Sequence, residues 1–190
     1  MTADYFENES FENEDFRNSD LTQKEFENCN FTNCNFSNTT LPNCSFVECE
    51  FVDCDFSLAK PNNTSFNKAR FINCKLLGLD FSNCNKFLLS FEFTECNLSL
   101  ASFYQLKIKE TVFTNCNLNE VDFIEADLTN SVFNNCDLNK AVFENTFMPK
   151  ADFRNSHNYS INPEQSNIKK AKFRLSGIPG LLYKYDIKIE

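Results

Sequence analysis

The sequence contains no tryptophan, one histidine, two methionines and three glycines. The lone histidine, His157, has no Ser, Cys or carboxylate arrangement beside it that would make a nucleophile–base set. No G-x-G-x-x-G, P-loop or H-E-x-x-H occurs, so neither phosphate-cradling loops nor a zinc-helix motif is available. Ten cysteines are present, but none is spaced C-x-x-C, which argues against a metal site. No apolar run approaches the ~18 residues of a membrane span. The first residues, MTADYFENESFENEDF, are acidic and lack the apolar core of a secretory signal. That places the thiols in a reducing, cytoplasmic compartment. A basic stripe of the kind that binds nucleic acid directly is also missing. The expectation is a chain that is not an enzyme, takes no cofactor and does not enter a membrane.

What the chain has is phenylalanine, 23 of them in 190 residues, and they are periodic. Between Glu27 and Phe56 a large apolar residue returns every fifth position, at Phe31, Phe36, Leu41, Phe46, Phe51 and Phe56. Two residues before each sits a small one: Cys29, Cys34, Thr39, Cys44, Cys49 and Cys54. A period of five fits neither the 3.6 of a helix nor the 2 of a strand, and indicates a repeat architecture. The central position runs from Phe6 to Phe81 without a slip, Pro61 alone breaking the type. Asn recurs just before the small residue (Asn28, Asn33, Asn43, Asn73, Asn83, Asn115 and Asn135), where its tolerance of turn geometry predicts corners.

After Phe81 two extra residues intervene, and the central positions restart at Phe93, Leu98 and Phe103 and continue to Phe153. If one coil takes four repeats, Cys34, Cys54 and Cys74 stack in one column. Subtracting the two extra residues brings Cys96, Cys116 and Cys136 into the same column. The insertion therefore reads as a bulge near 85–91, with Lys86 and Phe87 at its centre and Phe87 or Phe91 as a candidate contact residue. Residues 1–18 carry acids at the inward position (Asp4, Glu9, Glu14) and read as an acidic lead-in or cap coil. Residues 19–157 form the solenoid, and 158–190 a loop, cap and dimerisation segment. In the tail, Leu181, Leu182 and Tyr185 suit one face of a short helix, while Ile187 and Ile189 suit a terminal strand. With Ile178 these apolar residues must cover the last coil or a second chain; Ile178, Leu181, Leu182, Tyr185 and Ile187 are the candidate dimer interface.

These units, among them Ala126-Asp127-Leu128, Ala151-Asp152-Phe153 and Cys116-Asn117-Leu118, resemble the pentapeptide-repeat family over roughly residues 19–157. The resemblance implies an all-β fold: a right-handed quadrilateral β-helix of about eight coils with a short C-terminal helix or tail as cap. Coils one strand spacing apart, ~4.8 Å, make a rod on the order of 40 Å long. Ile161-Asn162-Pro163-Glu164, Gly180-Leu181-Leu182 and Ile187-Lys188-Ile189 are similar to the tails of topoisomerase-protecting members, the Qnr-type quinolone-resistance proteins and the microcin B immunity protein. Those pair two rods through the terminal helix and resemble duplex DNA in width and charge. Qnr-type members carry longer projecting loops, where this chain has only the two-residue excess.

The formal charge is −9, and it is uneven. Residues 1–60 hold 13 acids and 3 bases, whereas 151–190 hold 4 acids and 7 bases. Glu48, Glu50, Asp53 and Asp55 alternate with inward residues and should point outward, forming rows with Glu25 and Glu27. Such rows either solvate a Phe-rich rod or meet a cationic partner. The resemblance implies a non-enzymatic DNA mimic that binds DNA gyrase or topoisomerase IV, protects it from poisons such as quinolones, and forms a homodimer. The alternative is a protein-interaction scaffold for some other partner. An ice-binding face would need a more regular array than these mixed charges offer.

Overall fold

The computed structural model describes residues 4–189. Eleven short strands follow in chain order: β1 (Tyr5–Glu7), β2 (Ser10–Glu12), β3 (Glu25–Glu27), β4 (Asn30–Thr32), β5 (Ser45–Val47), β6 (Glu50–Val52), β7 (Ser65–Asn67), β8 (Ala69–Ile72), β9 (Phe91–Thr94), β10 (Val112–Thr114) and β11 (Val132–Asn134). The five-residue unit explains them. An extended stretch holds the inward apolar residue, and one left-handed residue then turns the chain onto the next face. Asn28, Asn33, Asn43, Asn73, Asn115 and Asn135 all sit at such corners with φ between 52° and 57°. Asn adopts this region most readily among residues with a Cβ. Asn83 departs from the expectation: it ends a 3₁₀ turn, Phe81–Asn83, nucleated by Asp80, whose carboxylate accepts from the Ser82 amide at 3.0 Å.

Every pairing is parallel, and each strand lies in register with the one a coil later: Phe6 on Phe26, Phe11 on Phe31, Phe46 on Phe66. One face is a four-stranded ladder, β1-β3-β5-β7; the next is seven-stranded, β2-β4-β6-β8-β9-β10-β11. Isolated parallel bridges join the other faces, for example Asp15–Asn35–Asp55–Lys75–Asn97–Asn117–Asp137–His157. The chain is thus an all-β parallel solenoid with a short C-terminal helix. Against the eight coils expected, the longest continuous strand ladder has seven rungs, and single bridges carry that face on through Asp152 and Lys172. Bridging therefore outlasts the strict sequence period, which lapses at Asn158.

The interior is a stack of rings. On the seven-stranded face Phe11, Phe31, Phe51, Phe71, Phe93, Phe113, Phe133, Phe153 and Phe173 lie one above another, with centroids 4.6–5.4 Å apart and planes within 15° of parallel. Each such pair adds ~0.5–1.5 kcal/mol beyond its buried area. The small inward residues have a second role. Cys74 Sγ lies 3.3 Å from the Phe51 carbonyl oxygen, and Cys54, Cys96 and Cys136 make the same link to the coil before. Thr146, Ser131 and Ser166 use hydroxyls at equivalent positions. A small donor here fills space and satisfies a backbone carbonyl at once.

The two-residue excess appears as a change in pairing offset. Residues 20 apart pair up to Phe51–Phe71, then Phe71 pairs with Phe93, 22 apart, after which the offset returns to 20. The loop between carries Phe87 outward, 75% exposed, whereas Phe91 is buried at 6%.

At the far end the tail folds back over the last coil. Helix α1 (Pro179–Leu182) follows a 3₁₀ turn and precedes another, Tyr183–Tyr185. Ile161 N–H donates to the Gly180 carbonyl at 2.9 Å, and Leu181 packs on the core. A Cβ at Gly177 or Gly180 would collide with Tyr159, so close approach demands glycine at both. Ile187 and Ile189 belong to no strand; both are about half exposed.

Candidate functional site

The six candidate acids occupy two kinds of position. Glu25 and Glu27 flank Phe26 on β3 and point outward, exposed. Glu50 and Asp55 also lie on flat faces, partly covered by neighbouring coils. Glu48 and Asp53 are exposed, but at left-handed corners, with φ of 54° and 55°. The extended geometry assumed for these two does not apply; a corner side chain projects from an edge of the rod.

Register decides how much charge is free. Glu48 pairs with Lys68 at 2.6 Å and Glu50 with Arg70 at 3.0 Å, each cation 20 residues on and therefore directly above. Lys68 holds the Glu48 carboxyl below its usual range, chiefly by hydrogen bonding. Asp53 accepts from Asn73 Nδ2 at 2.5 Å, and Asp55 accepts the Ser57 amide at 2.8 Å. The row is thus partly neutralised on coil three. Toward the N-terminus it is not. Glu7 lies in register with Glu27, and Tyr5 Oη donates to Glu27 at 2.8 Å, pushing the tyrosine up to about 12. Among the described residues no cation pairs with Glu7, Glu9, Glu12, Glu14, Glu25 or Glu27. The strongest negative surface is therefore the first two coils. The signal was present in sequence, because the same register that stacks Phe6 on Phe26 stacks Glu7 on Glu27.

The other candidates fall in separate places. Lys86 and Phe87 project from the bulge, on the side wall of the rod. Leu181 is committed to the core, Ile178 and Leu182 are half-buried, and Tyr185 and Ile187 are exposed. Tyr185 Oη donates to Glu164 at 2.7 Å, which ties the tail to the Pro163 loop. A surface not foreseen is an apolar edge: Leu58, Leu77 and Leu100 are 54%, 37% and 58% exposed, and Leu58 and Leu100 are leucines at left-handed corners. A shallow groove of about 610 Å³ runs across Asn33, Asp53, Asp55, Asn73, Lys75 and Glu95. Cys34, Cys54 and Cys74 and the amides of Asn35 and Asn97 complete its wall, where Asn73 is bonded to Asp53 and Asp55 accepts the Ser57 amide. Among the described residues no group of His, Cys, Asp and Glu could hold a metal ion, and no helix is long and apolar enough to cross a membrane.

Known proteins place this architecture. The structure is similar to that of full-length QnrB1, a plasmid-mediated fluoroquinolone resistance protein, with a TM-score of 0.64 and 17% identity over 96% of this chain and all of that one. Two trypsin-treated forms of QnrB1 each give a TM-score of 0.57, at 20% and 21% identity over nearly all of both chains. At such identity the likeness concerns the fold. No curated protein sequence matches the chain. The pentapeptide repeat region family matches residues 24–92 and 87–157, well over half of the chain, in the segments where the five-residue unit builds the ladder. The chain belongs to the pentapeptide-repeat family.

Proposed function

We propose that this protein is a non-enzymatic, DNA-mimicking rod that binds a type II topoisomerase, DNA gyrase or topoisomerase IV, and modulates it or protects it from poisons such as quinolones. It acts in the cytoplasm as a homodimer joined through the C-terminal segment. The observation that carries this reading is the run of unpaired carboxylates on the first two coils, held at strand spacing on a rigid ring-stacked core. Fixed negative charge at regular intervals on a rod is what a duplex offers a cationic groove, and long-range attraction would guide the encounter. The fold shared with QnrB1 supports the same reading.

The test is gyrase supercoiling with purified protein titrated in, with and without a fluoroquinolone. Restored supercoiling at substoichiometric to equimolar protein supports protection, and binding should weaken steeply as salt rises. Affinity unchanged between low and high salt would sink mimicry. Inhibition without rescue would keep mimicry and remove resistance. No effect in large excess would favour a second reading, a scaffold for another protein. One observation speaks for that alternative: the exposed edge of Leu58, Leu77 and Leu100 gives an adaptor somewhere apolar to grip.

A further inference from the structure

The C-terminal end of the rod has the opposite character to its beginning. Between the last two coils lies a cavity of about 240 Å³ lined by Arg154, Ser156, His157, Tyr159, Arg174 and Ser176, with Asn155 and Gly177 completing its wall. Tyr159 is buried, 5% exposed, and its hydroxyl has no hydrogen-bond partner among the described residues. The hydroxyl is wedged against Gly177, where any side chain would collide with it. A buried hydroxyl with nothing to bond to leaves its lost hydration uncompensated. A native fold keeps such a group where a water, ion or ligand answers it.

The charges around the cavity say which. Arg174 has no acidic partner among the described residues; its Nη2 donates to Asn155 Oδ1 at 2.6 Å, so the amide holds the guanidinium in place and leaves its charge unmatched. Arg154 is fixed by Asp152, which receives Nε at 3.0 Å and Nη2 at 2.7 Å, so Nη1 stays free. His157 Nε2 stands 3.9 Å from Asp137 Oδ1. Ser156 is already committed, accepting from the Cys136 amide and donating to the Phe133 carbonyl. Lys172 adds a further cation beside Asp152, at 3.5 Å. Two planar guanidiniums held by neighbours, a hydroxyl lacking an acceptor and a small concave volume are complementary to an oxyanion with several acceptor oxygens.

We propose that this cavity is a binding site for a phosphate-class oxyanion, inorganic phosphate or the phosphate of a small phosphoester. Arg174 is the main charge partner, Arg154 a second donor, and Tyr159 Oη the buried donor that the anion satisfies. The site uses none of the acidic rows and stands or falls independently of any topoisomerase.

The test compares thermal unfolding of the full chain in phosphate and in chloride at matched ionic strength, beside amide chemical shifts during a phosphate titration. Wild type should melt higher in phosphate, with saturable shifts confined to residues around 154–159 and 174–177. Arg174→Gln should lose the saturable response while melting normally in chloride. Tyr159→Phe should melt at or above wild type in chloride, because an unpaired buried hydroxyl is gone, and respond less to phosphate. An equal phosphate effect in wild type and Arg174→Gln would be general salt stabilisation and would overturn the site. Shifts that never saturate, or an equal response to acetate, would overturn it as well and leave the cavity to water.

Discussion

The ring of Phe91 lies 5.0 Å from that of Phe81, although the two do not occupy equivalent positions in the repeat. Phe91 pairs in register with Ala69, so it stands where other coils place a small residue. It also meets the rings of Phe66, Phe71, Phe93 and Phe103. The bulge carries Lys86, Phe87 and Leu88 outward and leaves that coil short of a central side chain. Phe91 fills the vacancy from the neighbouring position.

Phe91→Ala should therefore be among the most damaging single changes, costing ~3–5 kcal/mol. Phe87→Ala, four residues earlier and exposed, should stay within ~0.5 kcal/mol of wild type. Denaturant unfolding measures both. Equal losses would mean that the bulge is packed and Phe91 is replaceable.

Thr111 shows the same vacancy in hydrogen bonds. Thr146 Oγ1 donates to the Phe123 carbonyl at 2.8 Å and Ser131 Oγ to Ile108 at 3.2 Å, each to the residue 23 before it. For Thr111 that residue is Leu88, in the bulge, and its buried Oγ1 has no partner. Thr111→Val should be neutral or stabilising, whereas Thr146→Val should cost about 1 kcal/mol or more. A larger loss at Thr111 than at Thr146 would refute this.

The ten thiols should be silent in the folded protein. All are buried and none forms a disulfide; burial pushes Cys44 and Cys49 up to about 12, while Cys54 and Cys96, lowered by hydrogen bonds with the stacked thiols Cys74 and Cys116, are just as far from a reagent's reach. A chromogenic disulfide reagent should titrate them only as the chain unfolds, at the unfolding rate. Fast stoichiometric labelling of a native cysteine would contradict this.

Acid should weaken the C-terminal coils through Asp152. The Arg154 guanidinium beside it, with a smaller attraction from Lys172, holds its carboxyl at about 2, against ~3.9 unfolded. A lowered folded value means stability that is present above pH ~4 and lost as pH falls toward 2. Asp152→Asn should remove that part of the slope and lower stability at neutral pH. A wild-type and variant difference that is constant from pH 6 to about 2 would exclude the linkage.

Two adjacent leucines should separate capping from association. Leu181 packs on the core whereas Leu182 does not. Leu181→Glu should lower the melting temperature by burying a carboxylate. Leu182→Glu should leave melting nearly unchanged and yield monomers on sizing if the tail joins two rods. A Leu182→Glu dimer as tight as wild type would remove this interface.

Much of the architecture was written in the spacing. If one coil takes four five-residue units, Cys34, Cys54 and Cys74 fall in step, and the pairing of Lys75 with Asn97 across the bulge carries Cys74 onto Cys96 as that arithmetic requires. Asn at the corners was also legible, because the left-handed region selects for it. Less was legible at the surface. Glu48 and Glu50 look like free acids in the local sequence, and only the partner a coil later shows that Lys68 and Arg70 neutralise them. Asn83 has the local signature of a corner, yet Asp80 captures its turn as 3₁₀.

By itself, then, the sequence determined the repeat, the column of small residues, the position of the bulge and the acidic start. Each follows from a local rule applied at every fifth residue. The tertiary structure alone decided which of Phe87 and Phe91 enters the core, because that depends on the space left by rings from three successive coils. It alone brought Arg154, Tyr159 and Arg174 around one cavity. The reason is physical: residues 20 apart become neighbours only once the coils stack, and charge, exposure and hydrogen bonding are settled between coils.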